Sequence, residues 1–343
     1  MIRTQRARGI VAATALIATA ALALVGCSSS APADTGDSDS GEAVEMPTVR
    51  FGYIADFNGA SLLAIADDQG LWEKHGIEVE TPVFTNGPLQ IQALGTDDLD
   101  FGYIGPGAMW LPASGQAEVA AINSLGNADR VIAQAGIDSI EDLKGKKVAV
   151  PEGTSGDMIL TMALREAGMT IDDVEKVAMD PSTVVAAFSS KQVDAAGIWF
   201  PLIDTIQEQV PDLEILAENE DYADTVAFPS AFVANPKFTA EHPEATEKVL
   251  AVLRDAMDFR AENIDETVKI TADMLKGDAE GFAADAANAK YLTSAELDAF
   301  TEDGTVNTWL GSLNEYFVAA GKLDDATDAS EYYLGDAFVA AGK

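Results

Sequence analysis

The chain has 343 residues, a formal net charge of −36, one cysteine and two histidines. So acidic a balance excludes nucleic acid as a partner, because neutralising phosphates takes clustered Lys and Arg. A lone cysteine excludes a disulfide within the chain, and two histidines leave little material for a histidine-based metal site.

Arg3, Arg6 and Arg8 precede an apolar run from Ile10 to Leu24, with no acid among them. A positive segment followed by a short apolar one is the pattern of an export signal. The run is shorter than the roughly 20 residues a spanning helix needs. Leu24-Val25-Gly26-Cys27 resembles the bacterial lipobox, which implies cleavage after residue 26 and a diacylglyceryl group on the Cys27 thiol. Residues 28–46 (SSSAPADTGDSDSGEAVEM) carry too little apolar surface to offset chain entropy, so 27–46 reads as a disordered tether. Two acyl chains suffice for stable anchoring. The expected location is extracytoplasmic, on the outer face of a bacterial cell membrane. No second long apolar run follows.

From residue 47 onward short apolar runs alternate with amphipathic stretches, the pattern of an α/β fold. VRFGYIA (49–55) predicts a buried strand, 61–76 a helix, 77–84 a strand, 88–94 a helix and 99–105 a strand. A short helix from residue 106 and strands at 118–125 and 129–134 come next. SIEDLKG is read as a helix, 146–150 as a strand, 155–168 as a helix and 174–179 as a strand. STVVAAFSSKQ gives a helix, DAAGIWF (194–200) a strand and 225–235 a further strand. Beyond Pro236 the chain turns mostly helical, with Pro243 suited to a first helical turn. FGYIADFNG (51–59) and FGYIGPGAM (101–109) echo one another, which suggests two strand–loop–helix turns side by side at one cleft rim.

Catalytic material is sparse. His75 falls at a helix end and His242 at a helix start, and GTSGD (153–157) is not the G-x-S-x-G pattern of a nucleophile elbow. No metal-ligand spacing is present and no cofactor is expected. Four small, polar, glycine-bearing turns follow strands and open helices: ADFNGAS, TNGP, GPGAMW and PEGTSGD. None contains Lys or Arg. Helix N-termini offer free N–H groups, so several aimed at one point could hold an anion without a basic side chain.

Residues 141–201 (EDLKGKKVAVPEGTSGDMILTMALREAGMTIDDVEKVAMDPSTVVAAFSSKQVDAAGIWFP) resemble the nitrate/sulfonate/taurine/thiamine-precursor family of ABC-transporter solute-binding proteins. ALGTDDLDFGYIG (93–105) and GLWEKHGIEVE (70–80) are similar to further segments of that family. The resemblance covers most of residues 49–260. It implies a two-lobed periplasmic-binding-protein-like fold (type II), with lobe one at 47–130 and 226–343, lobe two at 131–225, and ligand between them. It also implies a monomer that delivers a solute to an ABC permease with its ATPase, and no enzymatic activity.

Carried onto this chain, the implied ligand-binding residues are Asp56, Phe57, Asn58, Asn86, Gly87, Gly105, Gly107, Thr154, Ser155, Trp199 and Ser230. Thr154 and Ser155 would donate to a sulfonate or carboxylate head group, and Trp199 would pack on the ligand or in a lobe core. Asp56 would face an ammonium or ring N–H, or cap a helix. Phe232 falls where taurine binders place an acid, which weighs against taurine itself. The leading expectation is a small organic sulfonate or related anion. The alternative is an aromatic N-heterocycle or amine, for which Phe57, Trp110 and Trp199 offer stacking surfaces. An anchored enzyme on the same fold is the third reading.

Overall fold

The computed structural model describes residues 47–343. The leader, Cys27 and the tether lie outside them. The first segment runs β1 (Val49–Arg50), β2 (Tyr53–Ile54), α1 (Phe57–Asp68), α2 (Leu71–His75), β3 (Val79–Glu80), β4 (Val83–Phe84), α3 (Gly87–Gly95), β5 (Phe101–Ile104), α4 (Trp110–Ala113) and β6 (Glu118–Gly126). The chain then crosses to β7 (Asp129–Ala133), β8 (Lys147–Val150), α5 (Ser155–Glu166), β9 (Glu175–Ala178), α6 (Pro181–Ser189), β10 (Ala195–Trp199), α7 (Leu202–Gln209) and β11 (Glu214–Glu218). It returns through β12 (Pro229–Ala234), α8 (Pro236–Glu241), α9 (Pro243–Glu262), α10 (Ile264–Leu275), α11 (Ala279–Ala286), β13 (Ala289–Tyr291), α12 (Ser294–Glu302), α13 (Thr305–Ala319) and α14 (Gly335–Ala340).

Two sheets organise these elements into two lobes. One has the strand order β13-β6-β12-β5, extended beside β5 by the parallel pairs β1–β3 and β2–β4. The other has the order β11-β7-β10-β8-β9. Its strands β10, β8 and β9 run parallel, and β7 pairs antiparallel with β10 and β11. Strands buried on both faces read as unbroken apolar runs. β12 (PSAFVA) is one, buried along its whole length between β5 and β6. Pro229 opens it, where a missing N–H is tolerated.

An aromatic cluster fills the first lobe. Phe232 packs edge-on to Phe51 at 5.4 Å and tilted against Tyr103 at 5.7 Å. Phe232 is therefore core, and its position is closed to a ligand acid for packing reasons alone. The second lobe has its own core of Ile132, Val184, Phe188, Ile198, Ile203 and Ile206.

Several sequence expectations shift. The strand read at 49–55 is two short strands. The helix read from residue 61 begins at Phe57, because Asp56 caps it, and it stops short of Gly70 (φ 62°), where α2 begins. The strand read at 77–84 is likewise split, and that read at 225–235 starts at Pro229. Residues 141–143 form only a 3-10 turn. α7, β11 and β13 were not anticipated.

The repeated FGYI has a structural reason. The two copies run side by side in parallel, with Gly52 N donating to Phe101 O at 2.8 Å. Gln90, fully buried on α3, donates to Tyr103 O and accepts from Tyr103 N, both at 2.8 Å. A Cβ on Gly52 or Gly102 would stand 2.8 or 2.9 Å from the Gln90 Oε1. The shared glycine makes room for one amide that ties helix to sheet.

Candidate ligand cleft

The turns at the carboxyl ends of β2, β4, β5, β8 and β10 converge on one cleft of about 600 Å³, its solvent-open mouth included. α1 contributes Asn58 together with its cap Asp56, and α3 contributes Gly87 with its cap Asn86. Gly105 follows β5, Thr154 and Ser155 open α5, Trp199 ends β10, and Ser230 lies on β12. These nine sequence-derived candidates line the same space.

Two candidates do not. Phe57 is the first residue of α1, and its ring turns away to pack with Val268 and Ala286, 5.6 Å from the Tyr291 ring. Gly107 sits in the 3-10 turn after β5 and abuts the second lobe instead of the cleft. A Cβ there would lie 2.2 Å from the Thr154 carbonyl. Trp110, considered as a stacking surface, lies on α4 outside the lining, with Lys322 Nζ 5.7 Å above its ring. The lining residues missed by the sequence reading include Tyr103, Ser124, Asp129 and Phe200.

Charge in the cleft is one-sided. Asp56 is buried, and its Oδ1 accepts the Gly59 N–H at 2.7 Å. Burial pushes its carboxyl up to about 7, against the pull of that N–H. Asp129 is also buried and also raised by burial, opposed by the Ser155 and Asn219 side chains and by Arg130. Asn219 grips Asp129 twice: it accepts from Asp129 N at 2.7 Å and donates to Oδ2 at 3.1 Å. Asp129 Oδ1 has no hydrogen-bond partner among the described residues.

Among the described residues no Lys, Arg or His lines the cleft. Arg130 is engaged behind it, donating to the carbonyls of Asn127 and Asp129 and pairing with Glu218 at 3.0 Å. His75 contacts Asp255, and His242 packs on Phe238.

Several of the remaining polar groups spend their protons on one another or on the backbone. Thr154 Oγ1 donates to Pro151 O at 2.6 Å, so its single hydroxyl proton is committed. Ser124 Oγ bonds Ser230 Oγ at 2.8 Å and donates to Asn58 Oδ1 at 3.1 Å. The Tyr103 hydroxyl is raised well above its ordinary range by burial and bonds Ser230, so it stays neutral. The N–H groups of Ser155 and Gly156, at the start of α5, meet no acceptor among the described residues. Ser155 lines the cleft, as do Asn58 and Asn86, whose side-chain oxygens accept and whose amide N–H groups also meet no acceptor among the described residues.

Comparison with known proteins places this geometry. A family model described as "NMT1/THI5 like" matches residues 59–267. A Brucella abortus (strain 2308) protein named "Putative binding protein" is 57% identical over 292 residues, which is 85% of this chain and 92% of that one. The alkanesulfonate-binding protein SsuA from Xanthomonas axonopodis pv. citri, solved bound to MOPS, superposes with a TM-score of 0.64 at 19% identity, over 84% of this chain and 99% of that one. A desulfurization enzyme superposes with a TM-score of 0.60 at 14% identity, over 86% and 98%. These superpositions establish the two-lobed α/β periplasmic-binding-protein-like fold. Binder and enzyme share it, so the cleft has to say what this chain does.

Proposed function

Because the chain belongs to the NMT1/THI5-like family and carries this two-lobed fold, we propose that it is the solute-binding component of an ABC importer. Its ligand is a small, flat organic amine or N–H-bearing heterocycle, held between the lobes and handed to a membrane permease with its ATPase. It binds and does not catalyse: neither histidine reaches the cleft to serve a serine as base.

One observation carries the ligand class. Two buried carboxyls, Asp56 and Asp129, line a cleft whose lining holds no Lys, Arg or His among the described residues. Burial raises both carboxyls despite the donors they already have, so a ligand that brings a further donor or positive charge complements them. Trp199, Phe200 and Tyr103 offer apolar faces for its body. The open N–H groups of Ser155 and Gly156 support a second reading, in which α5 receives a sulfonate or carboxylate oxygen.

Calorimetry on residues 47–343 separates the two. The panel comprises ethanolamine, choline, putrescine, aminopyrimidines, taurine, ethanesulfonate and nitrate. Binding confined to amines and heterocycles is the expected result. Tighter binding of ethanesulfonate than of any amine would overturn the ligand class and leave the importer role.

The proposal includes the anchor. Cys27 is acylated, and residues 28–46 hold the binding body near its permease on the outer face of the membrane. Cells fed labelled palmitate will label the full chain, and Cys27→Ser will lose the label and release the protein into the medium. Label retained on Cys27→Ser would refute the anchor.

A further inference from the structure

Asp56 has a companion. Asp285, near the end of α11, is fully buried, and its Oδ2 accepts the Phe57 N–H at 2.8 Å. Asp56 accepts the Gly59 N–H two residues further along the same helix. Two carboxyls therefore cap the N-terminus of α1, one open to the cleft and one sealed behind it. Asp285 Oδ1 has no partner among the described residues.

A buried diacid needs a cation or a proton. The cation at hand is Arg260 of α9, fully buried, with both terminal nitrogens committed elsewhere and its Nε meeting no acceptor among the described residues. Its Nη1 donates to Ser61 Oγ at 3.0 Å and its Nη2 to Asn123 O at 2.8 Å, and it lies 4.4 Å from the Tyr291 ring centroid. It forms no ion pair among the described residues. The other groups facing the pair are the hydroxyls of Tyr103 on β5 and Tyr291 on β13, both held neutral by burial, and Asp204 on α7, whose charge only adds repulsion.

We infer that Asp56 and Asp285 carry at most one negative charge between them in the empty cleft, and that the cleft admits a cationic solute by exchanging it for the proton on Asp56. The exchange rests on the amine reading above; the charge state of the empty pair does not. Asp285 keeps its proton throughout, because burial and the neighbouring Asp56 charge both oppose its ionisation. The Asp56 proton leaves for solvent through the cleft mouth as the ligand cation takes its place. Asp56 titrates at about 7 when empty. The sign then follows: below that pH the ligand must displace a proton, so affinity falls about tenfold per pH unit, and above it affinity is flat.

Two measurements test this. In ligand-free protein labelled with ¹³C at the aspartate carboxyls, one carboxyl will titrate near pH 7. It will vanish in Asp56→Asn and persist in Asp285→Asn, since asparagine mimics a protonated Asp285. Absence of any such carboxyl, or its loss in Asp285→Asn, overturns the assignment. Calorimetry at pH 6 in buffers of different ionisation enthalpy then counts protons, using whichever of ethanolamine, choline and putrescine binds most tightly. Release approaching one proton per cation, abolished in Asp56→Asn, is expected. Binding without release overturns the exchange and leaves the ligand class standing. Failure of all three amines to bind overturns both, and the titration still decides the charge on Asp56.

Discussion

Asp129→Asn will weaken amine or heterocycle binding about a hundredfold and leave the fold intact. Asp129 opens β7 just after the chain crosses into the second lobe, and Asn219 fixes its backbone and one carboxylate oxygen. Its Oδ1 is buried at the cleft wall beside the Ser155 side chain. A charge-assisted hydrogen bond is worth about 1.5–3 kcal/mol and more where water is excluded, and about 2.8 kcal/mol is a hundredfold in affinity. Asparagine keeps an oxygen for the Asn219 amide and removes a charge that burial already disfavours, so thermal stability should hold or rise slightly. The sign of the affinity change discriminates between ligands. A sulfonate is repelled by Asp129, so the same substitution would tighten its binding. Titration calorimetry of wild type and variant against the same solute reads the difference.

The fold was largely legible because alternation of apolar runs with amphipathic stretches survives in a single sequence. Legibility failed where tertiary partners decide. The strand at 49–55 reads as continuous, yet Gly52 lies where Gln90 presses in from α3, which no local pattern announces. The turns of the cleft are visible as small polar segments after strands, which is why Asp56, Asn86, Thr154 and Ser155, all in its lining, stand among the sequence candidates. Asp129 was missed because an acid at the start of a strand looks like a solvated end. It becomes a buried group only when Asn219, 90 residues later, closes over it. Phe57 was misassigned because its turn is polar. Its ring is claimed by Val268, Ala286 and Tyr291, from a stretch the sequence marked only as helical. The net charge of −36 gave no warning that the cleft itself is acidic, since surface acids mask two interior ones.

Gly107→Ala will cost at least as much affinity as losing a ligand contact, although Gly107 does not line the cleft. Its turn belongs to the first lobe, and the groups it meets, the Thr154 carbonyl and the Ser155 N–H, belong to the second. An added methyl would sit 2.2 Å from the Thr154 carbonyl carbon and oxygen and 2.4 Å from the Ser155 nitrogen. These are backbone atoms at the start of α5 and cannot rotate aside, so the lobes must part by roughly an ångström to reach ordinary contact. Parting loosens everything that spans the gap, including the hydrogen bond from Tyr316 Oη to Met158 O at 3.3 Å. Ligand held by both lobes binds only the closed arrangement, so affinity falls by the fraction of closed molecules lost. A penalty of about 3 kcal/mol on closure is roughly a hundredfold in affinity. One apolar cluster runs from the first lobe into β8 and α5 of the second, so the melting temperature of the empty protein should fall by several degrees as well. Small-angle scattering with saturating solute should show the variant more extended than wild type. Unchanged affinity would mean the turn at residues 106–108 yields within its own lobe, and Gly107 would then be no part of closure.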